Sequence, residues 1–112
     1  MDNADSVFKG IVDECREDHV GLWVVVKDVR RAIPEQADIF NITLSLIKRL
    51  LLEGDVIAGQ FQNIGEQEWK FDQWVMPVDE IIAKIGREWR SLGRDPDISE
   101  VVWFTAKENK AA

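Results

Sequence analysis

Two spacings in this 112-residue chain could do chemistry. Cys15 and His19 stand four residues apart, which on a helix sets two soft metal ligands on one turn, with Glu14 and Asp18 beside them. A closed zinc site takes four ligands, and the chain has no second Cys or His. Cys15 also continues an apolar stripe, so a core thiol beside a surface histidine is expected. Ser45-Leu46-Ile47-Lys48 spells serine-x-x-lysine, in which the lysine helps to activate a serine nucleophile. No companion motif accompanies it, and the chain leaves no room for a substrate domain. Gly54, Gly59 and Gly65 form neither a phosphate loop nor a dinucleotide fingerprint, and read as turn and strand-packing residues. With one histidine no set of nucleophile, base and orienting group can be assembled. No carboxylate sits in an apolar run where burial would raise its pKa for acid catalysis. Neither an enzyme nor a cofactor is expected.

Binding chemistry is better represented. Net charge is −7, from 21 acids against 14 bases. The distribution matters more than the total, because binding is set by local faces. Residues 50–80 carry −6, whereas 23–49 carry +2 and 81–94 carry +3. Lys84, Arg87, Arg90 and Arg94 fall on one helical face, either as a cationic stripe for a nucleic acid or acidic partner, or as a salt-bridged face with Glu80 and Glu88 at i, i+4 to Lys84. The second reading is preferred. Five Trp and five Phe against no Tyr make the chain aromatic for its size.

The elements that must position these residues follow from periodicity. Val7, Phe8, Ile11, Val12 and Cys15 make one stripe of a helix over residues 5–18, capped by Asp5 or Ser6. Residues 22–26 are β-branched around Trp23 and read as a brief strand, and 27–33 as a short helix stopped by Pro34. After a turn at residues 34–37, Asp38 caps a helix over 39–53 that ends at Gly54. Its inner face is Ile39, Ile42, Leu46, Ile47 and Leu50. Residues 56–62 and 69–76 read as two strands of a hairpin, with Ile57, Phe61, Trp69 and Phe71 on a shared inner face. Asp79 caps a last helix whose core stripe is Val78, Ile81, Ile82, Ile85, Trp89 and Leu92, ended by Gly93. Residues 98–105 read as a final strand, followed by a frayed tail from Ala106. No repeat or linker divides residues 1–112, so a single α+β domain is expected.

The order helix, short strand, helix, helix, hairpin over residues 5–76, with the spelling "IKRLLLEGDVIAG", resembles the winged-helix variant of the helix-turn-helix superfamily. The helix and strand of residues 78–105 lie outside that resemblance, as a C-terminal extension. The resemblance implies a third helix that enters the DNA major groove and a hairpin wing that touches phosphates or the minor groove. By position, Asn41, Ser45, Lys48 and Arg49 would face bases and backbone, flanked by Lys27, Arg30 and Arg31 of the preceding helix. The wing departs from this pattern. Glu66 and Glu68 stand where phosphate contacts would be wanted, Asp72 lies farther along, and Lys70 is the one base between residues 50 and 80.

Two functions are therefore expected. The first is a non-catalytic protein-binding module, immunity- or antitoxin-like, whose Glu66, Glu68 and Asp72 meet a basic partner surface. The second is a sequence-specific DNA-binding regulator, for which a homodimer is the usual form. A lone cysteine and an N-terminus, MDNADSVF, without a basic and then apolar leader pattern set the expectation of a cytoplasmic protein. No apolar run approaches the roughly 20 residues that span a bilayer.

Overall fold

A computed structural model describes residues 3–34, 38–66, 68–98 and 100–107. The turn expected at residues 35–37 and the tail beyond Lys107 lie outside them. The architecture is α+β: a three-helix core, a hairpin wing, and a C-terminal helix and strand. In order these are α1 (Asn3–Glu17), β1 (Val20–Gly21), α2 (Leu22–Ala32), α3 (Ile39–Glu53), β2 (Val56–Gly65), β3 (Glu68–Gln73), α4 (Val78–Leu92) and β4 (Trp103–Ala106). The four strands form one antiparallel sheet in the order β1-β4-β2-β3.

α1 begins at Asn3, so Asp5 lies inside its first turn instead of capping it. Val7, Ile11 and Cys15 are buried, and Phe8 and Val12 pack partly against the same core. The strand expected at residues 22–26 is helical. Leu22, Val25, Val26 and Val29 recur at i, i+3, i+4 and i+7 and all are buried in α2, so burial of a helical stripe outweighs the β-preference of three successive valines. Only Val20 and Gly21 remain extended. Gly21 makes room there for the Trp23 ring, which an added Cβ would meet at 1.6 Å and displace.

α3 has the expected bounds. The Asp38 carboxylate accepts from the Asn41 backbone N–H at 3.1 Å, and the Gly54 N–H closes the last turn on Leu50. Ile39, Leu46, Ile47 and Leu50 are buried, and Ile42 is half-buried. α4 follows Pro77, which occupies the cap position, so Asp79 is a first-turn residue and not the cap. Its Ile81, Ile85 and Trp89 are buried, and it packs on α3 where Gly86 meets Phe40 and Leu44. The Phe40 and Trp89 ring centroids are 4.7 Å apart.

The last strand is shorter than expected. Ala106, expected in the frayed tail, is a buried β4 residue, whereas the chain at Val101 leaves strand geometry. Val101 has φ 71, and the Val102 N–H donates to the Glu100 carbonyl at 3.0 Å. Those two features define a γ-turn of the strained, positive-φ kind, which for a β-branched residue costs on the order of 1–3 kcal/mol. β3 likewise stops at Gln73, and Trp74 and Met76 fold back against the core.

The core lies between the helices and one sheet face, where Val20, Val56, Ala58 and Phe104 are buried. Thr43 of α3 sits inside it at 0% exposure, and its Oγ1 has no hydrogen-bond partner among the described residues. A buried hydroxyl without a partner costs on the order of 1 kcal/mol or more. Thr43→Val keeps the shape and removes the cost. It is expected to raise stability by about 1 kcal/mol in urea unfolding, and a loss of stability would show that the hydroxyl is satisfied.

Candidate functional site

The winged-helix resemblance assigns a role to the α3 face. Asn41, Ser45 and Lys48 are exposed on α3. The Asn41 backbone N–H, and then its Nδ2, which donates to the Asp38 carboxylate at 2.6 Å, hold that carboxyl below its ordinary pKa. Lys48 Nζ lies 3.0 Å from Asp79 Oδ1 at the start of α4. Arg49 donates to Asp5 of α1, approaches Glu53 at 3.7 Å, and sets its guanidinium 4.1 Å over the Phe8 ring. On α2, Arg30 makes a two-pronged bond to Asp95 at 2.7 and 3.0 Å, and Arg31 lies 3.9 Å from Asp28. Lys27 is exposed, with no ion pair among the described residues. Arg30, Lys48 and Arg49 thus pair with carboxylates of neighbouring segments, whereas Arg31 pairs within α2. A phosphate would have to displace those carboxylates.

The α4 stripe behaves similarly. Lys84 pairs with Glu88 at 2.9 Å and lies 4.9 Å over the Trp74 ring, and Arg90 lies 4.6 Å over Phe40. Arg94 chelates Glu100 at 2.6 and 2.9 Å. That bond, with the Asp97 N–H, pulls the Glu100 carboxyl down to about 2. Arg87 is exposed and uses its carbonyl to accept from Ser91. The salt-bridged reading therefore describes Lys84 and Arg94, with Glu88 rather than Glu80 as the partner of Lys84.

The expected core thiol is present. Burial, and then the charge of Glu14, push the Cys15 thiol up to about 12, so it stays protonated and unreactive at neutral pH. Glu14 is itself raised, by partial burial and then by Asp28 and Glu17. His19 is not the surface residue expected. Its half-buried ring is tilted against Phe61 and Phe71, with centroids 4.7 and 5.3 Å away, while Asp18 Oδ1 stands 3.8 Å from Nδ1. Among the described residues, no group of three or more His, Cys, Asp and Glu side chains converges as metal ligands.

His19 leads to the feature that sequence reasoning placed wrongly. Phe61 pairs directly with Phe71, and Trp69 with Asn63, so alternation does put Phe61, Trp69 and Phe71 on one face with Ile57. That face is the outer one, because the helices cover the side that holds Val56, Ala58 and Phe104. Ile57 alone of the four is buried. Phe61 and Phe71 belong to an aromatic layer that continues through Trp103 to Trp23, with centroid separations of 5.6 Å (Phe61–Phe71), 5.2 Å (Phe61–Trp103) and 4.9 Å (Trp23–Trp103), all near edge-on. Each such pair adds about 0.5–1.5 kcal/mol beyond its area burial. The layer joins residues from 19 to 103, so no local periodicity could have assembled it.

A cleft of about 520 Å³ opens on this layer, lined by Gln60, Phe61, Trp69 and Trp103. Trp69 is 62% exposed and Ile64, at the hairpin end, 58%. Glu66 and Glu68 flank the turn and are exposed. Asp72, opposite Gln60, lies on the other face of β3 from Trp69 and Phe71. Of the expected partner-binding acids, Glu66 therefore stands at the hairpin end, while Glu68 alternates with Trp69 and lies with Asp72 on the reverse face of β3.

No protein-family model, curated protein or solved structure matches the chain. Among the described residues no helix is long and apolar enough to cross a membrane.

Proposed function

We propose that this chain is a non-catalytic protein-binding module on a winged-helix-like scaffold, which covers a basic surface of its partner with the outer face of its hairpin. The observation that carries the reading is the exposed Trp69 beside an aromatic cleft, on a hairpin whose charged residues are Glu66, Glu68, Asp72 and a single base, Lys70. Aromatic anchors inside a charged rim are what binding surfaces use: the ring supplies desolvated area, and the charges steer and orient the encounter. Immunity proteins and antitoxins that mask cationic nucleases have this chemistry. Membership of the winged-helix superfamily is part of the proposal and rests on element order and the α3-to-wing spelling. A reducing, cytoplasmic setting suits a chain with one buried cysteine.

The DNA-regulator reading draws on the same element order and on the exposed Asn41 and Ser45. Against it stand the carboxylates that hold Lys48, Arg49 and Arg30. The test of the module uses purified products of the genes adjacent to its own, assayed one at a time by biolayer interferometry. Glu66→Lys plus Glu68→Lys is expected to slow association with the partner about tenfold or more at low salt. An unchanged association rate, or DNA binding gained by wild type and variant alike, contradicts the reading.

A further inference from the structure

The two edges of β2 are used unequally. β3 pairs with it from Gly59 to Gly65, but β4 pairs only from Val56 to Gly59. Beyond Gly59, no strand among the described residues lies along that edge. The γ-turn at Val101 is the cause, because β4 continued backwards would bring residue 101 opposite Phe61, and the turn diverts the chain instead. Gln60 Nε2 donates to the Val101 carbonyl and closes the inner end of the gap. Successive residues of an antiparallel strand turn their N–H and C=O groups to opposite sides. Trp74 N–H donates to the Ala58 carbonyl on the β3 side, so Phe61 and Asn63 present theirs to the vacant edge. The aromatic cleft lies beside it.

Building on the protein-binding reading above, we propose that an extended segment of the partner, with lysine or arginine at alternate positions, adds as a strand along residues 61–63 of β2, up to the bulge between Asn63 and Gly65. Its residue opposite Phe61 would share the face of Trp69 and Trp103 and lay a cationic side chain against those rings. Charge complementarity selects a basic segment through the net charge of the hairpin: residues 60–75 carry Glu66, Glu68 and Asp72 against Lys70 alone, with Glu66 at the hairpin end and Glu68 and Asp72 on the reverse face of β3. The outer edge of β3 is a poorer slot, because Lys70 guards it and the cleft lies elsewhere.

The probe is acetyl-(Lys-Val)4-amide, titrated into the ¹⁵N-labelled full chain. Comparators are (Glu-Val)4 and a (Lys-Val)4 that is N-methylated at alternate residues. The expected result is shifts at the Phe61 and Asn63 amides and the Trp69 and Trp103 indoles, with affinity at least tenfold weaker for both comparators. Asn63→Pro removes an outward N–H but no β3 bond; because it also removes the bond that Asn63 Oδ1 accepts from the Gly65 N–H at 3.1 Å, Asn63→Ala is its control, and the proline is expected to bind the probe about tenfold more weakly than the alanine, both read below their melting transitions. Equal binding of the N-methylated probe, shifts confined to the outer edge of β3, or no binding of (Lys-Val)4 overturns strand addition. Should a neighbouring-gene partner bind wild type and Asn63→Pro equally, strand addition fails while the protein-binding reading stands.

Discussion

Alanine at Phe104 is expected to cost the fold about 3–5 kcal/mol. Phe104 is the largest fully buried side chain, and β4 holds it at the centre of the sheet, opposite Val20 on one side and Ala58 on the other. The helices close over the same face, so truncation leaves a cavity between layers that cannot easily collapse. A domain of this size has about 5–15 kcal/mol of stability in total. The melting temperature should fall by roughly 10–20 °C in a circular-dichroism melt. A loss of less than about 1 kcal/mol would be incompatible with a central β4.

Trp69→Ala is expected to behave in the opposite way. The side chain is mostly exposed and its nearest cross-strand neighbour is Asn63, so folding stability should change by no more than about 0.5 kcal/mol. Partner affinity is expected to fall about thirtyfold, the effect of about 2 kcal/mol when a central aromatic anchor is truncated. Calorimetric titration beside a thermal melt separates the two. A lower melting temperature with intact affinity would make Trp69 a packing residue and move the binding face elsewhere.

Much of this fold was legible because α1, α3 and α4 each carry a stripe at helical spacing, bounded by Asp38 and Gly54 for α3 and by Pro77 and Gly93 for α4. The misreadings share a cause, which is that tertiary contacts decided segments whose local signals pointed elsewhere. Three successive valines spell a strand, yet Leu22, Val25, Val26 and Val29 find the core only as a helix. Residues 98–105 are apolar enough for a strand, yet Glu100 is drawn to Arg94 and Asp97, and Val101 is forced into a positive φ. The candidate site was half legible. Alternation grouped Phe61, Trp69 and Phe71, but nothing local says which face of a sheet the helices will cover. His19, Trp23 and Trp103 join the layer only through the pairing of β1 and β4. The charges of Lys48 and Arg49 were visible in sequence, while their partners Asp79 and Asp5 were 31 and 44 residues away.

The proposed reading leaves partner binding to the hairpin and not to α3, whose Lys48 and Arg49 are paired with Asp79 and Asp5. Fluorescence anisotropy of labelled genomic DNA fragments over a salt series, with wild type beside Lys48→Ala and Arg49→Ala, measures this most directly. The expected result is no saturable binding near physiological salt by any of the three proteins. Tight binding whose logarithm falls steeply with log salt, and which either substitution abolishes, would contradict it and return the chain to DNA.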